Sequence, residues 1–117
     1  MGESSEKIPT GPGGVLLVTG ASRGIGAATA LLAAHSGWRV AVNYTANSLA
    51  ADEVVRAIRA AGGTAMTVQA DVADEAQVLA MFRSIDAKLG PLTGLVNNAG
   101  VASAGSIEDT AMADWEW

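Results

Sequence analysis

The chain has 117 residues, half of them hydrophobic and 16% charged, so it can form one domain with a substantial core. Seven basic and twelve acidic residues give a net charge of −5 without a basic cluster, which argues against binding to nucleic acid or to an anionic membrane surface. The lack of cysteine excludes disulfides, thiolate metal sites and a cysteine nucleophile, and is typical of a cytoplasmic protein. The single histidine, His35, is expected to interact with a helix dipole or solvent, so no metal centre is predicted.

Residues 1–13 are rich in glycine and proline, which predicts a flexible leader. Glu3, Glu6 and Lys7 are not followed by an apolar segment, so the leader does not resemble a signal peptide. No apolar run in the sequence approaches the length that spans a bilayer. The folded part is therefore expected over residues 14–117.

A glycine-rich turn follows the first apolar run. Residues 15–19 predict a buried strand, and the alanine-rich residues 24–35 predict a helix. Gly20, Gly24 and Gly26 between them let the backbone turn tightly and approach a ligand, and the helix start directs free amides and a positive dipole end at it. A pyrophosphate fits such a place, although the glycines alone are also compatible with a simple tight turn. The spacing argues against a triphosphate-binding P-loop, because no Gly-Lys-Ser/Thr follows.

The rest of the chain alternates between strand and helix patterns. Further strands are predicted at residues 38–43, 65–70 and 93–97. The second helix begins at Asn47 or Ser48, and the third begins at Asp74 with Gln77 as a variant capping box. Val78, Phe82, Ile85 and Leu89 form an apolar stripe along that third helix. Strands and helices of these lengths predict an α/β fold with parallel strands and right-handed crossovers.

Three motifs follow one another along the chain. They are Thr19-Gly20-Ala21-Ser22-Arg23-Gly24-Ile25-Gly26, Asp71-Val72 and Asn97-Asn98-Ala99-Gly100. In this order and spacing they resemble the short-chain dehydrogenase/reductase family, and within it most of all the 3-oxoacyl-acyl-carrier-protein reductases. The resemblance covers residues 14–117 and implies a doubly wound parallel sheet of the Rossmann type with strand order 3-2-1-4. It also implies that a nicotinamide dinucleotide lies across the carboxyl ends of the strands.

The resemblance assigns cofactor contacts to positions of this chain. The residues that would line the phosphates and the adenosine ribose are Gly20, Ser22, Arg23, Gly24 and Ile25. Those that would face the ribose 2′ position are Asn43, Tyr44 and Thr45. Asp71 would bind the adenine amino group with Val72 beside it, and Asn98, Ala99 and Gly100 would contact the ribose edges. Asn97 is expected to be structural, and the alternative for Asp71 and Asn98 is a role as turn residues only.

The end of the second strand indicates which dinucleotide is preferred. A site for NAD usually has an acidic residue there, whereas this chain has no carboxylate between Asn43 and Asp52. Arg23, inside the glycine turn, can pair with a 2′-phosphate through two parallel N–H bonds, unless it is simply a solvated surface arginine. Arg39, at the far end of the same strand, is expected to be solvated. The sequence therefore predicts that NADP(H) is preferred over NAD(H).

The groups that perform the family's chemistry are not found in this sequence. Its only tyrosine is Tyr44, its lysines are Lys7 and Lys88, and no Tyr-x-x-x-Lys occurs before the chain ends. We therefore expect the NADP(H)-binding half of an oxidoreductase that transfers hydride reversibly to a carbonyl, with a 3-oxoacyl thioester as one candidate substrate. No catalytic residue is assigned, and the chain alone is expected to be inactive.

The alternative is a non-catalytic dinucleotide-binding or interaction module. In either case the fourth strand would leave an open apolar edge, from which we expect oligomers or self-association.

Overall fold

The computed structural model describes residues 13–98, and residues 1–12 and 99–117 lie outside this part. Strands and helices alternate along it in the order β1 (Val15–Val18), α1 (Gly24–His35), β2 (Arg39–Tyr44), α2 (Ser48–Ala60), β3 (Thr64–Gln69), α3 (Glu75–Lys88) and β4 (Leu92–Val96). The predicted elements of this range are confirmed, with strand ends displaced by a single residue. None of the helices within residues 13–98 is long and apolar enough to cross a membrane.

The four strands form one parallel sheet in the order β3-β2-β1-β4, as the family resemblance implied. Val18, the last residue of β1, pairs with Val42 of β2 and with Val96 of β4. The carboxyl ends of these three strands are therefore level, and the loops that follow them meet at one edge of the sheet. In the described part of the chain β4 is an edge strand, and all five of its residues are half-buried.

The sheet is covered on both faces, which explains why its strands are apolar runs rather than alternating ones. Leu16 and Val18 of β1 belong to the core beneath α1 and α2. Val15 and Leu17 face the opposite way, into the core beneath α3. From α3 this second core receives Val78, Met81, Ile85 and the C-capping Leu89 as buried residues, while Phe82, predicted in the stripe, is half-buried beside them.

Side-chain caps form at the starts of α2 and α3. Asn47 Oδ1 accepts the amide of Ala50 at 3.0 Å, and Asp74 Oδ1 accepts that of Gln77 at 3.1 Å, so both predicted caps form. The capping box at α3 forms only in half. Gln77 Oε1 accepts the Asp71 amide at 2.8 Å instead of that of Asp74, which already donates to the Asp71 carbonyl at 2.9 Å.

Arg39 is not simply solvated, contrary to the expectation from the sequence. Its Nη1 donates to the carbonyl of Leu89 at 2.6 Å, and its Nη2 donates to that of Gly13 at 3.4 Å. The last carbonyls of a helix lack partners within the helix, and the half-buried guanidinium supplies one at the end of α3. Arg39 therefore ties the start of β2 to the end of the third helix.

Candidate cofactor-binding site

The loop between β1 and α1 leaves a helix end without a side-chain cap. Gly20 (φ +60°) and Gly24 (φ +62°) are in the left-handed region, where side chains are strained. Arg23, at the N-cap, has extended backbone and makes no capping hydrogen bond through its side chain, and the first turn of α1 has no acidic residue. The other two helices of residues 13–98 are capped by Asn47 and Asp74. The first-turn amides of α1 are thus left to bind an anion.

Both polar groups of Gly20 are held by side chains from other strand ends. Its amide donates to Asn43 Oδ1 at 3.0 Å, and its carbonyl accepts from Asn98 Nδ2 at 3.0 Å. The next amide, that of Ala21, donates to the Asn43 carbonyl at 2.8 Å. The loop is therefore fixed from β2 on one side and from the end of β4 on the other.

Gly26 allows α1 to lie close against this loop. A Cβ at Gly26 would overlap the carbonyl oxygen of Gly20 and would lie 2.7 Å from Asn98 Nδ2. Real Cβ atoms essentially never approach other heavy atoms that closely. Gly26 thus serves packing between helix and loop rather than ligand contact.

A cleft of about 320 Å³ opens beside the loop. Its lining brings together five of the residues that the sequence assigned to the cofactor: Gly20, Ser22, Arg23, Tyr44 and Thr45. Ala46 and Asn47 line it as well, although sequence reasoning assigned them no contact. Among the described residues no carboxylate lines the cleft, and Arg23 is exposed. The cleft can therefore accept an anionic group next to a guanidinium.

Asn43 departs from its assignment. The sequence analysis placed it at the ribose 2′ position, but its side chain is buried, with 1% of its surface exposed. Residues two apart on a strand share a face, and Asn43 lies with Ala41 on the α3 side, whereas Tyr44 lies on the other side with the cleft. Its side chain is therefore turned away from the cleft.

Asp71 and Val72 do not line the cleft. Asp71 is exposed, and its Oδ1 accepts the Ala73 amide at 3.0 Å, which is the turn role that the sequence also allowed. Val72 is half-buried against the core beneath α3. Gly24 and Ile25 are exposed at the start of α1, also outside the lining. The contacts assigned to these four residues stay predictions.

The asparagines after β4 have different surroundings. Asn97 is buried and accepts the Thr19 hydroxyl at 2.9 Å through Oδ1, so its structural role is confirmed. Asn98 donates its own amide to Thr19 Oγ1 at 2.9 Å and its side-chain amide to Gly20. Asn98 therefore supports the loop, and its predicted ribose contact is untested. Ala99 and Gly100, also assigned to the cofactor, lie outside the described residues.

Residues 13–98 also contain a second cavity but no candidate metal centre. A hollow of about 300 Å³ lies between the carboxyl-terminal ends of α1 and α2, lined chiefly by alanine and glycine and remote from the loops. No three His, Asp or Glu side chains in this part of the chain are grouped so that they could hold a metal ion.

The sequence matches the family model described as short chain dehydrogenase over residues 14–117. The chain belongs to the short-chain dehydrogenase/reductase family. An uncharacterised oxidoreductase of Escherichia coli, YgfF, is 59% identical to it over 87 residues. A 3-oxoacyl-[acyl-carrier-protein] reductase of Synechocystis is 46% identical over 102 residues. A crystal structure of a dehydrogenase/reductase from Sinorhizobium meliloti matches 86% of this chain with a TM-score of 0.73 and 40% identity.

The chain spans only part of the proteins it resembles. Its matches cover 74% of this chain but 35% of YgfF, and 87% of this chain but 41% of the Synechocystis reductase. The crystal structure from Sinorhizobium meliloti is covered to 40%. Membership of the family implies a nicotinamide dinucleotide cofactor. The relatives themselves are named as an oxidoreductase and a reductase.

Proposed function

We propose that this chain is the NADP(H)-binding part of a short-chain dehydrogenase/reductase and that it prefers NADP(H) to NAD(H). The observation that carries the proposal is the cleft beside the glycine loop, which combines Arg23 with the end of β2 and contains no carboxylate. An acidic residue at the end of β2 is what an NAD site ordinarily uses to hold the ribose 2′-hydroxyl. Here Tyr44 and Thr45 occupy that end.

The pyrophosphate is assigned to the glycine loop and the start of α1. The first-turn amides there have no side-chain cap, and no acidic side chain repels a bound anion. The left-handed Gly20 and Gly24 bring the backbone close without a Cβ in the way. These features fit a phosphate ester, which would supply the acceptors for those donors.

The 2′-phosphate is assigned to the cleft. Arg23 would contact it through N–H groups, and a charge-assisted hydrogen-bond pair of this kind contributes about 1–3 kcal/mol. Since Arg23 is exposed, solvent and salt weaken the pair, and the lower half of that range applies. We therefore expect NADP⁺ to bind roughly five- to thirtyfold more tightly than NAD⁺.

When bound, the nicotinamide ring would supply a hydride for reversible reduction of a carbonyl substrate. The residues of this chain bind and orient the dinucleotide. Tyr44 is the only tyrosine, and it lies in the cleft assigned to the adenosine end of the dinucleotide, away from the nicotinamide. We therefore assign no proton-transfer role to any side chain of residues 13–98. We expect no carbonyl reduction by the 117-residue chain alone. The candidate substrate stays a 3-oxoacyl thioester, in line with the name of the Synechocystis relative. Self-association through β4 and a cytoplasmic location remain parts of this proposal.

Calorimetric titration of the full chain with NADP⁺ and NAD⁺ tests the cofactor assignment. The expected result is tighter binding of NADP⁺, with the difference abolished in Arg23→Ala. Arg56→Ala is the matched control, because Arg56 is an exposed arginine on α2 that does not line the cleft. Equal affinities of the parent chain for both dinucleotides would refute the preference. Robust NADPH-dependent reduction of a 3-oxoacyl thioester by this chain would refute its expected inactivity.

A further inference from the structure

The Asn43 side chain joins the ends of three strands. Its Oδ1 accepts the Gly20 amide at 3.0 Å, at the start of the glycine loop after β1. Its Nδ2 donates to the carbonyls of Val68 at 3.3 Å and Ala70 at 3.2 Å, at the end of β3. One contact therefore lies at the start of the glycine loop, and the other two lie just before Asp71.

We propose that Asn43 is a positioning residue that sets the spacing between the glycine loop and the Asp71-Val72 turn, and through it the affinity for the whole dinucleotide. The inference rests on the proposed function, in which the loop holds the pyrophosphate, and on the family resemblance, which assigns the adenine to the turn. Asn43 does not touch the cofactor itself, because its side chain is buried with 1% exposed.

An amide is the group that satisfies this place. The Gly20 N–H needs an acceptor, whereas the carbonyls of Val68 and Ala70 need a donor, so the network itself fixes which way the amide points. A carboxylate at residue 43 would keep the bond to Gly20 but face two carbonyls. A shorter hydroxyl side chain cannot span both loops.

Main-chain bonds bring the same strand ends together but leave a gap that the side chain fills. The Ala21 amide donates to the Asn43 carbonyl at 2.8 Å, and the Ala70 amide donates to the Tyr44 carbonyl at 3.0 Å. Met81 of α3 lies under the side chain, with its Sδ 3.5 Å from Nδ2. Since the Asn43 side chain is buried and Met81 of α3 lies against it, solvent does not reach this place to replace a missing amide, and both loops must shift if the amide is removed.

The spacing matters only to ligands that touch both loops. NADP⁺ reaches from the glycine loop to the Asp71 turn, so a changed separation strains every binding pose. Pyrophosphate and adenosine each use one loop, and a change in separation leaves them unaffected. A residue that merely stabilised the fold would not distinguish these two kinds of ligand.

The test compares the parent chain with Asn43→Asp and Asn43→Ser. We expect the Gly20 amide to exchange with solvent about tenfold faster in Asn43→Ser without ligand, because its acceptor is lost. NADP⁺ should bind about tenfold more weakly to both variants, while the dissociation constants of pyrophosphate and adenosine, measured by NMR titration, change less than about twofold. Ile58→Val is the control: Ile58 is buried in α2 next to Gly63, away from the loops, and its variant should bind NADP⁺ like the parent.

Unchanged exchange at Gly20 in Asn43→Ser would overturn the inference. So would an equal loss of affinity for NADP⁺, pyrophosphate and adenosine, or a comparable loss for NADP⁺ in Ile58→Val. Failure of the proposed function looks different, because the parent chain then binds no NADP⁺ at all. In that case the exchange of the Gly20 amide alone decides whether the Asn43 side chain holds the loop.

Discussion

Replacement of Gly26 by alanine should both destabilise the protein and weaken the binding of NADP⁺. The added Cβ would overlap the Gly20 carbonyl oxygen and lie 2.7 Å from Asn98 Nδ2 and 3.0 Å from the Ala21 Cα. Two of these neighbours are backbone atoms, and the third is a side chain already hydrogen-bonded to Gly20 at 3.0 Å. None can rotate away, so α1 must move from the loop or the loop must open.

The free energy of this change can be worked out from three contributions. Overpacking of a close contact costs about 1–3 kcal/mol. Separation of Asn98 from the Gly20 carbonyl costs about 1 kcal/mol more. Alanine is favoured over glycine inside a helix by about 1 kcal/mol, which offsets part of the loss. We therefore expect Gly26→Ala to lower the free energy of unfolding by about 1–3 kcal/mol.

Urea denaturation followed by circular dichroism measures this loss of stability. Calorimetry measures the affinity for NADP⁺, which should fall more than about fivefold because the α1 amides shift. Gly62→Ala is the control. Gly62 (φ +91°) has open space around its Cβ position and lies between α2 and β3, far from the loop. It should lose about 1–2 kcal/mol through backbone strain but bind NADP⁺ normally. If Gly26→Ala is as stable as the parent, the close approach of α1 to the loop is not what requires glycine.

Two further substitutions examine the cleft and the sheet. Tyr44→Asp places a carboxylate at the end of β2, so NADP⁺ should bind about tenfold more weakly while the affinity for NAD⁺ is retained. Titration with both dinucleotides measures this, and an unchanged ratio of the two dissociation constants would mean that Tyr44 is not near the 2′ position. Gly94→Ala brings a Cβ within 2.9 Å of Leu16 Cδ1 and 3.1 Å of the Trp38 ring, and we expect urea denaturation to show a loss of about 1–3 kcal/mol, with NADP⁺ affinity kept. An unchanged free energy of unfolding for Gly94→Ala would show that the Trp38 ring can move aside without loss of stability.

The elements could be predicted because their signals are local. Gly37, Gly62 and Gly90 have φ of +103°, +91° and +113° just after the three helices, where glycine commonly ends a helix. Asn47 and Asp74 cap helices as their positions before apolar runs suggested. The strand order, by contrast, came from the family resemblance, since the periodicity of each strand does not say which strand lies beside it.

What the sequence missed concerns the direction of polar side chains. The family resemblance assigned Asn43 to the ligand, but it follows Ala41 at a spacing of two and shares that buried face. The alternation was a usable signal and was outweighed by the motif. Arg39 and Gln77 could not have been placed in this way. Their partners, the Leu89 carbonyl and the Asp71 amide, become neighbours only when helix and sheet pack together.

The close approach of Gly26 to Asn98 predicts a specific form of non-additivity. If Asn98 Nδ2 is one of the atoms that an alanine at residue 26 strikes, its removal should relieve part of the strain. In a double-mutant cycle, Gly26→Ala with Asn98→Ala should therefore lose less free energy of unfolding than the two single variants together, by about 0.5–1.5 kcal/mol. Relief is incomplete because the Gly20 carbonyl still opposes the new Cβ. Additivity within about 0.3 kcal/mol would show that the overlap with the backbone alone excludes alanine, and that Asn98 acts on the loop only through its own hydrogen bond.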